Sequence, residues 1–242
     1  MRRPGPKQHD QTCSRLGERV PTAFITGAAR GIGLATARRF ADDGYDLVLH
    51  HNRTPPADVP GRWVQADLAD PEAAWACAEE AGAVDVFVAN AGAYHRTGLQ
   101  GMEGTTWRRS MAVNLDAPAA MVQALLPRMA SDGRIVFIGS IAAERGSAHG
   151  ASYAAAKAGL EGLMRSLARE LAPRTVNLVA PGYIDTDMIG EDTETRRAAR
   201  AQEVPVGRVG RPEEVADAVA WLSSPGAAYT TGTTLRVNGG LR

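Results

Sequence analysis

The amino-acid sequence predicts an α/β domain, a doubly wound parallel sheet of about seven strands with helices on both faces. Two observations carry that expectation. Short apolar, β-prone runs alternate with helix-patterned stretches from about Val20 to the C-terminus, with no repeat, low-complexity stretch or interior linker among them. The first of those runs, Thr22 to Thr26, leads straight into a glycine turn and a helix, the arrangement that opens a parallel βαβ unit. At 242 residues the chain can bury a substantial core in one domain, 20–242, and needs no second.

Taken in order, a strand at 21–26 passes through the glycines to a helix over 31–43 that stops near Gly44, and DLVLHH supplies a second strand at 46–51. A third strand at 62–66, a helix over 71–81 and the apolar run VDVFVA at 84–89 follow. A long helix is expected over 105–130, then the strand RIVFIG at 134–139, an Ala-rich helix over 152–171 and a strand at 175–180. A helix over 212–223 and a strand at 233–237 close the chain. Right-handed crossovers join such strands in parallel. The polar, charged segment 182–210 breaks the alternation. Loops at the carboxyl ends of the strands form the ligand crevice in folds of this kind, which makes that segment the candidate substrate lid. Residues 1–19 read as a basic, mobile tail.

Composition excludes several classes of function. With 27 basic and 27 acidic residues the formal net charge is zero, so no overall field favours nucleic acid or an anionic membrane. No apolar run approaches the roughly 18 residues of a membrane span, and the polar leader lacks the apolar centre of a signal peptide. Cys13 and Cys77 are too few for a disulfide framework and lack metal-ligand spacing, so the cytoplasm is the expected compartment and no metal is expected.

The chemistry begins at a lysine. The chain contains two lysines against 25 arginines, and Lys157 lies four residues after Tyr153 in ASYAAAKAGL. Residues at that spacing share a helix face. An ammonium beside the phenol is expected to draw the tyrosine pKa from about 10 towards neutrality, making Tyr153 a usable general acid. Gly27, Gly31 and Gly33 permit a tight turn, close backbone approach and tight packing, at a helix start that offers free N–H groups to a pyrophosphate. After the second strand the sequence reads Leu49-His50-His51-Asn52-Arg53, without the carboxylate that would bind both ribose hydroxyls of NAD and repel a 2′-phosphate. Arg30, with Arg53 or the Asn52 amide, can cradle such a phosphate, which favours NADP(H) over NAD(H).

With these motifs in place the sequence resembles the short-chain dehydrogenase/reductase family from about Val20 to the end, a Rossmann-type fold. TGAARGIG resembles its glycine motif, Ala89 to Gly92 its NNAG motif with the first Asn replaced, and Asn114, Ser140, Tyr153 and Lys157 its catalytic tetrad. Within the family the segments PGYIDTDM, VPVGRVGRPEEVADAVAWL and YTTGTTLRVNGG resemble bacterial 3-oxoacyl-(acyl-carrier-protein) reductases. The resemblance implies cofactor contacts at Gly27, Arg30, Gly31, Ile32, Gly33, His51, Asn52, Arg53, Asp67, Leu68, Asn90, Ala91, Gly92, Tyr153, Lys157, Pro181, Gly182, Ile184 and Thr186. It places Asp67 near the adenine amino group and Asn90 by the adenosine ribose, with helix capping and backbone support as the respective alternatives.

The same resemblance implies a reaction. Ser140 would bind a substrate carbonyl, Tyr153 would protonate the developing alkoxide, Lys157 would hold the nicotinamide ribose, and Asn114 would anchor a water that reloads the proton. Tyr94, His149, Tyr183 and Met188 are candidate pocket walls, and Arg174 is the candidate cation for docking an acidic carrier; Ser131 stands where a second docking arginine is expected. A 3-oxoacyl thioester on acyl carrier protein is the expected substrate, with a free ketone or alcohol and a non-catalytic cofactor-binding regulator as alternatives. Met121, Leu125, Leu160 and Leu163 read as apolar surface in excess of one sheet face, which points to a homotetramer with two-fold axes.

Overall fold

The computed structural model describes residues 19–189 and 194–241, apart from the side chains of residues 189 and 196; the expected tail up to residue 18, with Cys13, and part of the expected lid lie outside them. Seven strands, β1 (Thr22–Ile25), β2 (Asp46–His51), β3 (Arg62–Gln65), β4 (Val84–Ala89), β5 (Met129–Ile138), β6 (Thr175–Pro181) and β7 (Thr234–Val237), pair in parallel in the order β3-β2-β1-β4-β5-β6-β7. The chain runs outward from β1 to β3 and then returns to β4 on the other side of β1. This is the switch point at which ligands bind beyond the carboxyl ends of the strands.

Both faces of the sheet are buried, as a parallel sheet requires. From Val86 to Ala89 along β4, Phe87 and Ala89 enter one core and Val86 and Val88 the other, the period-two alternation of a strand. The first core packs α2 (Pro71–Ala81), α4 (Ala117–Leu125) and α6 (Ala151–Glu170) over Phe24, Phe87 and Phe137. The second packs α1 (Gly31–Asp42) and α8 (Pro212–Ser223) over Ile25, Val88 and Val136. Local chemistry sets the helix ends: Asp70 accepts from the N–H groups of Glu72 and Ala73 to start α2, and Glu214 accepts from the Arg211 N–H to start α8.

The structure corrects three expectations. The helix expected over 105–130 is α3 (Gly104–Met111), a π turn (Ala112–Asp116) and α4, which stops at Leu125. Residues 129–130 belong instead to β5, which slips register against β4 between Val84 and Val86. The cause is a distant arginine: Arg174 donates to the carbonyl oxygens of Leu126, Met129 and Ala130 at 3.5, 3.0 and 2.9 Å, satisfying groups that a continuing helix would have bonded itself. Second, Met121, Leu125 and Leu160 are core residues exposed by 1% or less, so they are not the surplus apolar surface expected of them. Third, the segments around the cleft hold two helices that the sequence did not suggest, α5 (Ala142–Arg145) and α7 (Glu194–Glu203). Among the described residues no helix is long and apolar enough to cross a membrane.

Candidate active site

A cleft of about 1310 Å³ opens at the carboxyl edge of the sheet and takes in the glycine turn at one side and Ser140, Tyr153 and Lys157 at the other. Gly27 and Gly31 adopt φ of 65° and 56°, the left-handed region that glycine tolerates. Gly33 is needed for space: a Cβ there would stand 2.1 Å from the Gly27 carbonyl oxygen and 2.4 Å from Asn90 Nδ2. Arg30 enters α1 in extended conformation without a side-chain cap, and no acid occupies the first turn. The helix therefore presents its first N–H groups and positive dipole end to the cleft, and this donor set fits the diphosphate of a dinucleotide.

Two side chains hold that turn from behind. Asn90 Nδ2 donates to the carbonyl oxygens of Thr26 and Gly27 at 2.8 and 3.2 Å, so its amide supports backbone, the alternative left open by the sequence. His50 was not foreseen. Its Nδ1 accepts from the Gly27 N–H at 3.0 Å and its Nε2 lies 3.1 Å from the Ala66 carbonyl oxygen. Burial pushes the imidazole down to about 4, so it is neutral near pH 7 with the proton on Nε2.

Beyond the glycine turn, at the ends of β2 and β3, Asp67 accepts from Arg109 Nη2 at 3.1 and 3.0 Å, from the Ala69 N–H at 3.1 Å and from Asn52 Nδ2 at 3.3 Å. Desolvation would raise its carboxyl, but the Ala69 N–H and the Arg109 guanidinium outweigh it and hold the group below its ordinary value. Capping of the next helix falls to Asp70 instead. Arg109 also lines the cleft and was missed, because an arginine on a helix face carries no motif. His51, Asn52 and Arg53 line the same end, as do Arg30, Ile32 and Leu68.

On the catalytic side, α6 places Lys157 Nζ 5.6 Å from the centre of the Tyr153 ring, and Nζ donates to the Ile138 carbonyl oxygen at 2.8 Å. Ser140, at the carboxyl end of β5, accepts from the Ala142 N–H at 3.1 Å and lies beside the Tyr153 phenol, whose ionised form it favours. The expectation that Lys157 draws the phenol towards neutrality is corrected. Desolvation outweighs the influence of Ser140 and pushes Tyr153 up to about 12, while it brings Lys157 down to about 8. Tyr94 stands edge-on to Tyr153 with ring centres 5.1 Å apart, held by a 3.1 Å contact between its hydroxyl and that of Ser147.

Asn114 is wholly buried on the π turn behind the cleft wall. Its Nδ2 donates to the carbonyl oxygens of Ala93 and Ser110, both at 2.9 Å, and its Oδ1 accepts from the Ala93 N–H at 3.3 Å. Gly92 lies between it and the lysine: a Cβ there would be 3.0 Å from Asn114 Oδ1 and 3.8 Å from Lys157 Nζ. π turns of this sort recur at functional sites.

Ala91, Pro181, Gly182, Ile184 and Thr186 line the cleft, together with Tyr94, Tyr183 and Met188. Two expected residues do not. His149 is exposed with φ of 61°, and its carbonyl accepts from the Thr97 N–H at 2.8 Å while its ring lies against Gly98. Arg174 precedes β6 at the amino edge of the sheet, opposite the cleft, and its guanidinium donates to backbone carbonyls there.

The geometry agrees with comparison to known proteins. A family model described as Enoyl-(Acyl carrier protein) reductase matches residues 27–242. The chain is 40% identical over 234 residues to the 3-oxoacyl-(acyl-carrier-protein) reductase FabG of Vibrio cholerae, covering 90% of this chain and 96% of that protein. It is similar to a solved structure of blue fluorescent protein from a metagenomic library in complex with NADPH, with TM-score 0.85 and 36% identity over 91% of this chain and 97% of that one. A short-chain dehydrogenase/reductase (glucose/ribitol dehydrogenase) from Brucella melitensis matches with TM-score 0.86 and 34% identity over 92% and 96% of the two chains. With its glycine turn and its Ser140, Tyr153 and Lys157 side chains gathered at the switch point of a seven-stranded parallel sheet, the chain belongs to the short-chain dehydrogenase/reductase family.

Proposed function

We propose that the protein reduces a ketone to a secondary alcohol with NADPH, and that the ketone is a 3-oxoacyl thioester presented by an acyl carrier protein. The observation that carries the reading is the Tyr153 phenol beside Ser140 and Lys157 in the cleft that also holds the glycine turn. The dinucleotide, when bound, supplies the hydride that the carbonyl carbon receives. Ser140 orients the carbonyl oxygen, and Tyr153 delivers a proton to that oxygen as negative charge develops on it. Lys157 fixes the nicotinamide ribose and supplies positive charge beside the phenol; replacement of the proton proceeds through Lys157, with Asn114 behind it. A panel of carrier-bound, coenzyme A-bound and free ketones with both reduced cofactors tests this reading. A free ketone as substrate is the second reading, favoured by the commitment of Arg174 to backbone.

NADP(H) is supported by the absence of a carboxylate at 50–53 and by Arg30 and Arg53 on the cleft wall. Arg30 faces one carboxylate, Asp187 at 3.7 Å, and is half exposed. Arg30→Ala is expected to weaken NADPH by roughly 1.5–3 kcal/mol, one to two decades in Kd, and NADH far less. Titration of both cofactors by intrinsic fluorescence checks this; equal losses would make Arg30 a support of the turn.

The pH dependence follows from the two pKa values. Tyr153, at about 12, stays protonated and able to donate across the neutral range, whereas Lys157 loses its charge as pH rises through about 8. The reduction rate is therefore expected to fall above pH 8, read as the alkaline limb of the kcat profile, and a flat profile to pH 10 would contradict it. Assembly as a homotetramer belongs to the same reading, supported by exposed Trp107, Trp221 and Tyr229; a monomeric mass in light scattering would defeat it.

A further inference from the structure

We propose that Tyr94 sets the size of the substrate: its ring is a fixed wall beside Tyr153 that admits only a short substituent on one side of the carbonyl carbon, so that short 3-oxoacyl groups are reduced in preference to longer ones. The inference rests on the reduction reading and adds which ketones the cleft takes.

Tyr94 and Tyr153 meet edge to face, with ring centres 5.1 Å apart and planes at 89°, an arrangement that aromatic pairs favour. A carbonyl oxygen placed on the Tyr153 phenol therefore has the Tyr94 ring as a neighbour, and one of the two substituents on its carbon meets that ring. The ring has no space to draw back. Behind it is Gly150, the residue before α6, where a Cβ would stand 2.8 Å from Tyr94 Cε2, 2.9 Å from the Tyr94 hydroxyl oxygen and 2.6 Å from Ser147 Oγ. Only a residue without a side chain fits there. The Tyr94 hydroxyl is tied in turn by its 3.1 Å contact with Ser147 Oγ.

The backbone that carries the ring is pinned as well. Tyr94 lies on the segment after β4 and Ser147 on the segment between α5 and α6, and both line the cleft. The Thr97 N–H, on the first segment, donates to the His149 carbonyl oxygen, on the second, at 2.8 Å. His149 makes that contact with φ of 61°, uncommon outside glycine, and its Nδ1 would be 3.3 Å from a Cβ at Gly98. Two segments joined both through backbone and through the Tyr94–Ser147 pair hold the ring in place, which makes it a wall and not a gate. The other substituent of the ketone, with its thioester, then runs to the lid side of the cleft, past Tyr183 and Met188.

The test compares N-acetylcysteamine thioesters of 3-oxobutanoate and 3-oxooctanoate, each reduced with saturating NADPH. Burial of the extra methylenes would by itself favour the longer chain, so a preference for the shorter one reports the wall. The wild-type protein is expected to favour the shorter thioester by roughly tenfold in kcat/KM, the discrimination that a pocket wall gives. Tyr94→Leu and Tyr94→Ala are expected to raise the long-to-short ratio in that order, the second by about tenfold, and Tyr94→Phe, which keeps the ring, to keep the wild-type ratio. The wall is overturned if the wild-type protein reduces both thioesters equally well or favours the longer, or if Tyr94→Leu and Tyr94→Ala lower both in proportion, as a merely structural role would. It is also overturned if Tyr94→Phe shifts the ratio as far as Tyr94→Ala, which would assign selection to the hydroxyl. Failure of the wild-type protein to reduce either thioester would overturn the reduction reading and this inference with it.

Discussion

Tyr153→Phe is expected to bind NADPH as the unaltered protein does and to turn over a 3-oxoacyl thioester roughly 10²–10⁴-fold more slowly, the usual worth of a positioned general acid. The substitution removes one oxygen from a side chain whose ring stays packed edge-on to Tyr94, so the cleft keeps its shape. What is lost is the proton donor beside Ser140. Because the phenol is pushed up to about 12, its protonated form dominates at every pH at which the protein would be assayed, and the loss should be as large at pH 6 as at pH 8. Single-turnover rates with bound NADPH measure the step directly. Activity retained within a few-fold would remove Tyr153 from the mechanism.

Gly33→Val is expected to cost roughly 3 kcal/mol, the upper end of overpacking penalties. The strain has nowhere soft to go, since the nearest atoms to an added Cβ are the Gly27 carbonyl oxygen and carbon and the Asn90 amide that holds the same turn. If the turn resists, the strain appears as a fall of about 6–12 °C in the thermal midpoint. If the turn yields, the cradle for the diphosphate opens and dinucleotide affinity drops by about two decades. Calorimetry and cofactor titration on the same preparation cover both routes; neither quantity changing would show that the turn is looser than its contacts imply.

The parallel sheet was legible because both of its faces are buried, which leaves near-continuous apolar runs such as VDVFVA bounded by turns. The tetrad and the glycine turn were legible because their residue types and spacings are set by chemistry and backbone sterics within short segments. What escaped depends on partners distant in sequence. The end of α4 is capped by Arg174, about 45 residues further on, and nothing near Leu125 announces it. His50 reads as one more residue of an apolar strand until β1 and β3 bring the Gly27 N–H and the Ala66 carbonyl to its two nitrogens. Arg109 finds Asp67 across 42 residues. The Tyr153 pKa departs from its sequence expectation for a related reason: helical spacing shows that two groups are neighbours but not how far the surrounding walls exclude water, and desolvation outweighs proximity here.

The proposed reduction requires that this cleft couple NADPH to a carbonyl. Incubating the protein with NADPH and a neutral 3-oxoacyl thioester, while following dinucleotide absorbance and isolating the acyl product, tests it most directly. One 3-hydroxyacyl product is expected for each NADPH oxidised, with NADH a poorer donor. Tight NADPH binding with the thioester recovered unchanged would contradict it and leave a cofactor-binding protein that performs no reduction.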